Sequence, residues 1–234
     1  MVSTVSERMT ERLALKGVAA DRIALFKNWL DPQAIKPLDD PGPLRATLGI
    51  SPDKVVALYA GNMGEKQGLD TLLDVARRLT HRRDILLVVA GEGAARPRLE
   101  AAAKGLANVR FLPLQPAAEF NHLLNMADLH LLPQRADAAD LVMPSKLIGM
   151  VGSGRPVIAG TRLDTEVAAI VGHCGLIVAP EDGAAMATAV ETLADDRDQR
   201  LALGRAARAY AIAELDKATI LEGFHRQLQH LVDK

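Results

Sequence analysis

The sequence predicts an α/β domain built on a doubly wound parallel sheet of about six strands. Short apolar runs of strand length recur along the chain, and amphipathic helical patterns follow several of them. The runs are continuously apolar instead of alternating, as is typical of parallel strands that are covered by helices on both faces. The predicted strands are VVALYAG (55–61), ILLVVAG (85–91), VRFLPL (109–114), LHLLP (129–133), RPVIAG (155–160) and GLIVAP (175–180).

The helical patterns have apolar residues at intervals of three and four. Residues 3–16 are predicted to form one amphipathic helix that is capped by Ser3 or Thr4 and closed by Gly17. No strand is expected after Pro180. The helices predicted between and after the strands are LDTLLDVARRL (69–79), RPRLEAAAKG (96–105), AAEFNHLLNMA (117–127), and two segments at 183–214 and 216–232.

A stretch dense in proline, aspartate and glycine, DPQAIKPLDDPGP (31–43), indicates a linker. We therefore divide the chain into residues 1–41 and a main domain at 42–234. The first piece is too short to form a domain of its own.

Composition excludes several classes of protein. The 234 residues carry 28 Lys and Arg against 29 Asp and Glu, so the near-neutral charge argues against a nucleic-acid-binding protein. The single cysteine, Cys174, rules out an internal disulfide. The longest apolar runs are too short to cross a bilayer, and the N-terminus does not resemble a signal peptide. A cytoplasmic location is expected.

The loop GNMGEKQG (61–68) follows the first long strand. Its glycines allow close backbone approach, and Lys66 precedes a helix predicted to begin near Gly68, where free amides and the helix dipole favour an anion. The spacing matches neither familiar phosphate fingerprint. A glycine-rich turn with a solvated lysine remains the alternative for this loop.

The loop GEGAARPR (91–98) repeats the order of strand, glycines and helix. Gly91 and Gly93 allow a tight turn, and Glu92 lies near the strand end, where a dinucleotide-binding domain would hold a ribose. A tight turn with a surface carboxylate is the alternative.

In the third loop, DLVMPSKLIGMVGSG (140–154), Pro144 is suited to the first position of a helix. Met143 would then be an N-cap without an oxygen, and the amides of Ser145, Lys146 and Leu147 would be free to bind an anion beside the Lys146 ammonium. Alternatively, Ser145 caps the helix. Three such helix starts at one edge of a sheet, two with lysine, favour an anionic ligand.

The histidines show no metal-ligand spacing. His130, within a predicted strand, is interpreted as a packed core residue, and His173 and Cys174 as structural. No metal or other cofactor is expected.

The order of these motifs, from NWLD through YAGNMGEKQGLDTLL and VVAGEGAARPRLE to MPSKLIGMVGSGRPVIAG, resembles the C-terminal half of a retaining glycosyltransferase of the large group-1 family. Members have two Rossmann-like domains in the B-type arrangement, and the bacterial colanic-acid and O-antigen branch, fucosyl- or fucosaminyl-transferase-like, is the most similar. The resemblance covers about residues 1–225. It implies that this half binds a nucleotide-sugar donor, GDP- or UDP-linked, and that a separate N-terminal domain binds the acceptor.

Site residues are carried over from the family by position. The family's phosphate-binding lysine falls on Lys66, and the arginine that accompanies it is replaced by Asn62. The paired glutamates of its Glu-x7-Glu motif are replaced by Leu141 and Gly149. The residues implied in donor and phosphate binding are Gly61, Asn62, Lys66, Gly91, Gly93, Pro144, Ser145, Lys146 and Leu147; those near the nucleobase and ribose are Arg110, Phe111, Leu112, Leu114 and Gly149; and Asp140 is a candidate sugar contact.

The resemblance further implies that residues 1–41 are the end of the acceptor domain and the crossing into the second domain, and that no confident catalytic residue lies in this half. The C-terminal helix, with Leu221, Phe224, Leu228 and Leu231 at helical spacing, would then expose an apolar stripe suited to the acceptor domain or to a homodimer. Membrane contact is expected only through the acceptor domain or a lipid-linked acceptor.

The hypothesis is thus the donor-binding half of a hexosyltransferase-like enzyme, inactive alone. A non-catalytic or degenerate domain that associates through exposed helices is the main alternative. A dinucleotide-dependent oxidoreductase is disfavoured by the glycine spacing. A sugar-nucleotide epimerase would need acid and base residues that the sequence does not offer.

Overall fold

A computed structural model describes residues 1–40, 42–137 and 144–232, without the side chains of Lys66, Leu231 and Val232. The strands are β1 (Val2–Thr4), β2 (Ile23–Leu25), β3 (Val55–Ala60), β4 (Ile85–Ala90), β5 (Val109–Leu112), β6 (Leu129–Pro133), β7 (Val157–Gly160) and β8 (Gly175–Val178). The helices are α1 (Glu7–Leu15), α2 (Gly42–Thr47), α3 (Asp70–Arg78), α4 (Arg96–Ala102), α5 (Phe120–Asn125), α6 (Ser145–Gly152), α7 (Glu166–Cys174), α8 (Gly183–Asp195), α9 (Arg197–Glu214) and α10 (Lys217–Val232).

The main sheet has six parallel strands in the order β5-β4-β3-β6-β7-β8. This confirms the predicted fold class. The chain enters at β3, adds β4 and β5 on one side, and then returns to add β6, β7 and β8 on the other. Ligands of open parallel sheets bind at such a reversal, beyond the carboxyl ends of the strands. Here the reversal lies between β3 and β6.

Helices cover both faces of the sheet, which explains why its strands are continuously apolar. One cluster of buried side chains joins the sheet to α3, α4 and α8. Two clusters on the opposite face join it to α5 and to α6, α7 and α9. Among the described helices, none has both the length and the apolar character that crossing a bilayer would require.

The N-terminal prediction was wrong. Residues 2–4 form β1, which pairs in parallel with β2, and α1 begins only at Glu7. The cap is Ser6, whose hydroxyl accepts a hydrogen bond from the Met9 amide at 3.2 Å, in place of Ser3 or Thr4. Gly17 does lie just beyond the helix, with a φ of +86°.

The predicted linker packs onto the α/β body. Leu30 is buried in one of the core clusters, and its backbone bonds both to the Leu215 carbonyl and to the Lys217 amide. The Arg208 guanidinium donates hydrogen bonds to the carbonyls of Pro32 and Ile35 at 2.9 and 2.8 Å. The segment before residue 41 is thus fixed to the main sheet's helices, while the division at residue 41 stays a prediction.

The stripe expected on α10 is exposed only in part. Leu221 and Leu228 are 37% and 40% exposed. Phe224 instead stacks on Phe26, with ring centroids 4.0 Å apart, and the Leu231 side chain lies outside the described part of the chain. The helix therefore uses part of its apolar face to hold the segment that follows β2.

Candidate functional site

Two loops meet where the strand order reverses: the loop after β3, which contains Gly61, and the loop after β6, which leads into α6. Residues 138–143 of the second loop lie outside the described residues, so the predictions for Asp140, Leu141 and Met143 cannot be compared with the structure. The helix that follows is described from its first residue.

The glycines of the first two loops allow their backbones to touch. A β-carbon on Gly91 would lie 2.0 Å from the Gly61 carbonyl oxygen, and one on Gly93 would lie 2.5 Å from the Met63 oxygen. The Met63 amide donates to the Glu92 carbonyl at 2.7 Å, and the Ala95 amide donates to the Met63 carbonyl at 2.9 Å. The loops after β3 and β4 therefore form one unit, and the glycines at 91 and 93 are explained by this contact.

The start of α6 differs from both alternatives considered above. Pro144 is the N-cap rather than the first helical residue, and it provides no side-chain hydrogen bond. Ser145 is the first helical residue and is exposed. The Leu147 amide, predicted to be free, bonds to the Pro144 carbonyl at 3.0 Å, and the Leu147 side chain is fully buried in the core. Within the described residues, the amides of Ser145 and Lys146 have no acceptor, so two donors remain for an anion.

The Lys146 side chain extends toward the end of β3. Its ammonium donates hydrogen bonds to the Tyr59 hydroxyl at 2.8 Å and to the Gln67 Oε1 at 2.6 Å. The same Nζ lies 4.7 Å from the centroid of the Tyr59 ring, a cation–π contact. Burial lowers the pKa of Lys146 to about 8.

Gly61 explains how the lysine fits beside the loop. A β-carbon at this position, where φ is +154°, would lie 3.3 Å from the Lys146 Cε and 3.5 Å from its Nζ. The end of the Lys146 side chain therefore packs against the backbone of the first loop. The Gly61 loop and the start of α6, two of the three segments that the sequence analysis assigned to an anionic ligand, are therefore adjacent.

Lys66 lies in a turn of 3-10 helix, Glu65–Gln67, and α3 begins at Asp70, one residue after the start of the predicted helix at 69–79. Its side chain lies outside the described part of the chain, so its role in phosphate binding stays a prediction. Asn62 is exposed, and its carbonyl accepts a hydrogen bond from the Tyr59 hydroxyl at 2.6 Å. Its side chain lies beside glycines of both loops, because a β-carbon on Gly93 would lie 2.7 Å from the Asn62 Oδ1 and one on Gly64 would lie 3.4 Å from its Nδ2.

The segment predicted to lie near the nucleobase has mixed surroundings. The Arg110 guanidinium donates to the Leu48 carbonyl, and Phe111 packs against the core. The Leu112 carbonyl accepts hydrogen bonds from the Gly91 amide at 3.1 Å and from Arg96 at 3.0 Å. Leu114, beyond the strand, is 71% exposed. Arg110 and Phe111 are half-buried and Leu112 is buried, so Leu114 has the most exposed side chain of this segment.

Gly149 is buried and faces α5. A β-carbon there would lie 3.3 Å from the Leu124 Cδ1 and 3.5 Å from the Phe120 ring. At 3.3 Å the Leu124 methyl would have to yield by a few tenths of an ångström, so a larger side chain fits only if these groups shift. Beside it lies a groove of about 370 Å³, whose walls include Trp29, Phe120 and Ser145.

Sequence reasoning did not find Tyr59 or Gln67. A signal was present for the first of them, because a tyrosine inside the apolar run VVALYAG needs a partner for its hydroxyl when it is buried. Gln67 offered no such signal. Other sequence interpretations hold: His130 is completely buried, and burial lowers its pKa to about 3. Cys174 is buried as well.

Carboxylates near the loop are already paired with arginines. Arg98 binds Asp70 at 2.5 Å and Glu65 at 3.1 Å. Among the described side chains, no carboxylate lies within 4.0 Å of the Lys146 ammonium, so its charge is not neutralised by an ion pair there. The same residues contain no group of three histidines, cysteines or acids that could hold a metal ion.

Comparison with known proteins identifies the family of this chain. Residues 54–196 match the family model for glycosyl transferases group 1. WcaI of Escherichia coli (strain K12), named for glycosyl transfer in colanic acid biosynthesis, is 34% identical over 95% of this chain and 55% of its own length. The D-inositol 3-phosphate glycosyltransferase of Nocardia farcinica is 30% identical over 90% of this chain and 48% of its own length.

Among solved structures, Anabaena Alr3699/HepE in complex with UDP and glucose superimposes with a TM-score of 0.84 at 19% identity, covering 98% of this chain and 62% of that one. At this identity the likeness shows the fold, which is that of the B-type glycosyltransferases. The chain spans about half the length of the curated relatives it matches. On the family match and the identity to WcaI, this chain belongs to the group 1 glycosyl transferases.

Proposed function

We propose that this chain is the donor-binding half of a retaining glycosyltransferase that moves a sugar from a nucleoside-diphosphate sugar to a polysaccharide or lipid-linked acceptor. One observation carries the proposal. The Lys146 ammonium is held at the reversal of the strand order, next to the uncapped start of α6 and directly under the Gly61 loop.

This arrangement suits the diphosphate of a nucleotide sugar. As the bond from the anomeric carbon to the diphosphate breaks, negative charge grows on the leaving group. The Lys146 ammonium and the amides of Ser145 and Lys146 form a fixed positive region for that charge. Lys66 is proposed as a second cation, and the Asn62 side chain as a neutral donor.

The nucleoside is proposed to lie in the groove beside the start of α6. Trp29 and Phe120 are 41% and 37% exposed there and offer aromatic walls for a base. Because the residue at position 149 is glycine, no carboxylate from that position can contact the ribose.

We further propose that the acceptor half is a separate domain that is not among these residues. The relatives are about twice as long as the part that this chain matches. Both the acceptor and the side chains that complete catalysis would then belong to that domain. We therefore expect this chain to bind a nucleoside diphosphate without transferring sugar, and we place the binding reaction in the cytoplasm.

Isothermal titration calorimetry with UDP and with GDP tests the donor site. UDP is suggested by the ligand named for HepE, and GDP by the family branch that the sequence resembles. Lys146→Met is expected to weaken binding by about 10- to 100-fold, the range for losing a hydrogen bond to a charged group. Lys104→Met, on an exposed residue just beyond α4, is the matched control and should bind as the wild type does.

Equal losses in the two lysine variants would show that the site lies elsewhere. If neither nucleotide binds the wild-type chain, the degenerate-domain alternative is favoured instead. In that case the oligomeric state, measured by analytical ultracentrifugation, would test association through α10.

A further inference from the structure

Tyr59 is buried at the end of β3, and its hydroxyl is hydrogen-bonded to polar groups of the site. The side chain has no exposed surface, and burial raises its pKa well above the ordinary value, so the phenol remains protonated at neutral pH. Its ring forms part of the core beneath the sheet. The hydroxyl is the part of the residue that contacts the site.

That hydroxyl makes two hydrogen bonds with different partners. It donates its proton to the Asn62 carbonyl at 2.6 Å and accepts from the Lys146 ammonium at 2.8 Å. The two roles are compatible, because a phenol carries one proton and two lone pairs. Tyr59 thereby links the backbone of the first loop to the lysine that enters from α6.

Gln67 holds the ammonium from the opposite end of the same loop. Its Oε1 accepts a hydrogen bond from the Lys146 Nζ at 2.6 Å. An amide oxygen orients the ammonium without neutralising it, in contrast to a carboxylate. Of the ammonium's three protons, two are directed to these acceptors and one remains for a ligand.

The charge environment of Lys146 is simple. Tyr59, from β3, is the one titratable side chain that contacts it among the described residues; Gln67 and Gly61, from the loop, are uncharged. Burial is accordingly the cause of its lowered pKa. The cationic form therefore depends on the two neutral acceptors.

We propose that Tyr59 and Gln67 are positioning residues for Lys146: they hold its ammonium at the Gly61 loop and keep it cationic there, ready for a diphosphate. The importance of this for donor binding rests on the proposed function. The effect of Tyr59 and Gln67 on the pKa of Lys146 is independent of the proposed function, because that pKa can be measured in the ligand-free chain.

The experiment is an NMR titration of Lys146 in the chain labelled with ¹³C-lysine. The signal is identified by its absence from Lys146→Met, and its midpoint gives the pKa. Tyr59→Phe keeps the ring and the cation–π contact but removes the acceptor, so the midpoint should fall by about one pH unit. Gln67→Glu places a carboxylate beside the ammonium, so the midpoint should rise by about one pH unit or more.

Tyr210→Phe is the control, because it removes the hydroxyl of the chain's other tyrosine, which lies on α9 beside His173. It should leave the Lys146 midpoint unchanged. Opposite movements in Tyr59→Phe and Gln67→Glu support the proposal. A wild-type midpoint near the ordinary 10.5, or no movement in either folded variant, overturns it.

Affinity for UDP and GDP supplies the second readout. Both variants should bind UDP and GDP more weakly by about 5- to 10-fold. In Tyr59→Phe a smaller fraction of Lys146 is protonated and its ammonium has lost one acceptor that positions it. In Gln67→Glu the new carboxylate repels the diphosphate. For Tyr59→Phe the loss should be larger at pH 8 than at pH 6, where Lys146 stays protonated. If the pKa moves as expected but the wild type binds neither nucleotide, the positioning role stands and the proposed function fails.

Discussion

Helices that start at the carboxyl edge of the main sheet begin in two different ways. Those that follow β7 and β8 have side-chain caps: Thr165 accepts from the Ala168 amide at 3.2 Å, and Asp182 from the Ala185 amide at 2.8 Å. Within the described chain, α3, α4, α5 and α6, which follow β3 to β6, have no side-chain cap.

The two kinds of helix start differ in whether their first amides have a side-chain acceptor. A cap satisfies free amides with the chain's own oxygen and stabilises the helix. An uncapped start leaves the first amides without a side-chain acceptor, and α3 and α6 begin after the two strands between which the strand order reverses. At β7 and β8 the first amides of the following helices are satisfied by side chains, whereas the helices after β3 to β6 begin without such a cap, as the proposed donor site requires of α6.

The largest effect is expected at the contact between the two glycine loops. In Gly91→Ala the new β-carbon would meet the Gly61 carbonyl at 2.0 Å, and φ is +136°, which an alanine rarely adopts. We expect a loss of about 4 kcal/mol in the free energy of unfolding, measured by urea denaturation. Gly223→Ala in α10, where a β-carbon meets nothing within 4 Å, should gain up to about 1 kcal/mol. A loss below about 1 kcal/mol in Gly91→Ala would mean that the loops are not packed together.

A smaller effect is expected when a cap is added to the uncapped half. Pro144 has an extended backbone, with φ −70° and ψ 116°, that an aspartate also adopts. Relative to Pro144→Ala, Pro144→Asp should be more stable by about 1 kcal/mol, because its carboxylate accepts from the free amides. The same carboxylate should weaken binding of UDP or GDP by about 10-fold, by occupying the amides and repelling the diphosphate. Unchanged affinity in Pro144→Asp would show that these amides do not contact the ligand.

The smallest effect is the reciprocal change in the capped half. Asp182→Ala removes the bond to the Ala185 amide and should cost about 1 kcal/mol in the free energy of unfolding. Affinity for nucleoside diphosphates should not change, because α8 lies on the other half of the edge. Calorimetry and urea denaturation on the same preparation measure both quantities. A loss of affinity in this variant would extend the binding region beyond β6.

Much of the fold could be predicted from local sequence patterns. The six strands of the main sheet were found because buried parallel strands are continuously apolar. Five of the predicted runs were one or two residues too long, whereas the run at 129–133 matches β6. The N-terminus was predicted wrongly because β1 and β2 have three residues each. Strands so short have no periodicity of their own, and only their pairing defines them.

Less of the candidate site than of the fold could be predicted from the sequence. Glycines after two strands and a proline before a helix showed where loops meet, because these residues restrict or free the backbone locally. The partners of Lys146 were not predictable. Tyr59 and Gln67 are 87 and 79 residues away from it in sequence, and they meet only because the strand order reverses between β3 and β6.

The sequence by itself determined the class of fold, the order of its strands and helices along the chain, and the presence of glycine-shaped loops at strand ends, since each follows from interactions between near neighbours. Tertiary structure alone decided which strands are adjacent, that the aromatic ring of Phe120 packs beside Gly149, and that Lys146 is buried against a tyrosine hydroxyl. The physical reason is that burial, the loss of water around an ammonium and the distance between two loops are properties of the packed chain, and no stretch of sequence contains them.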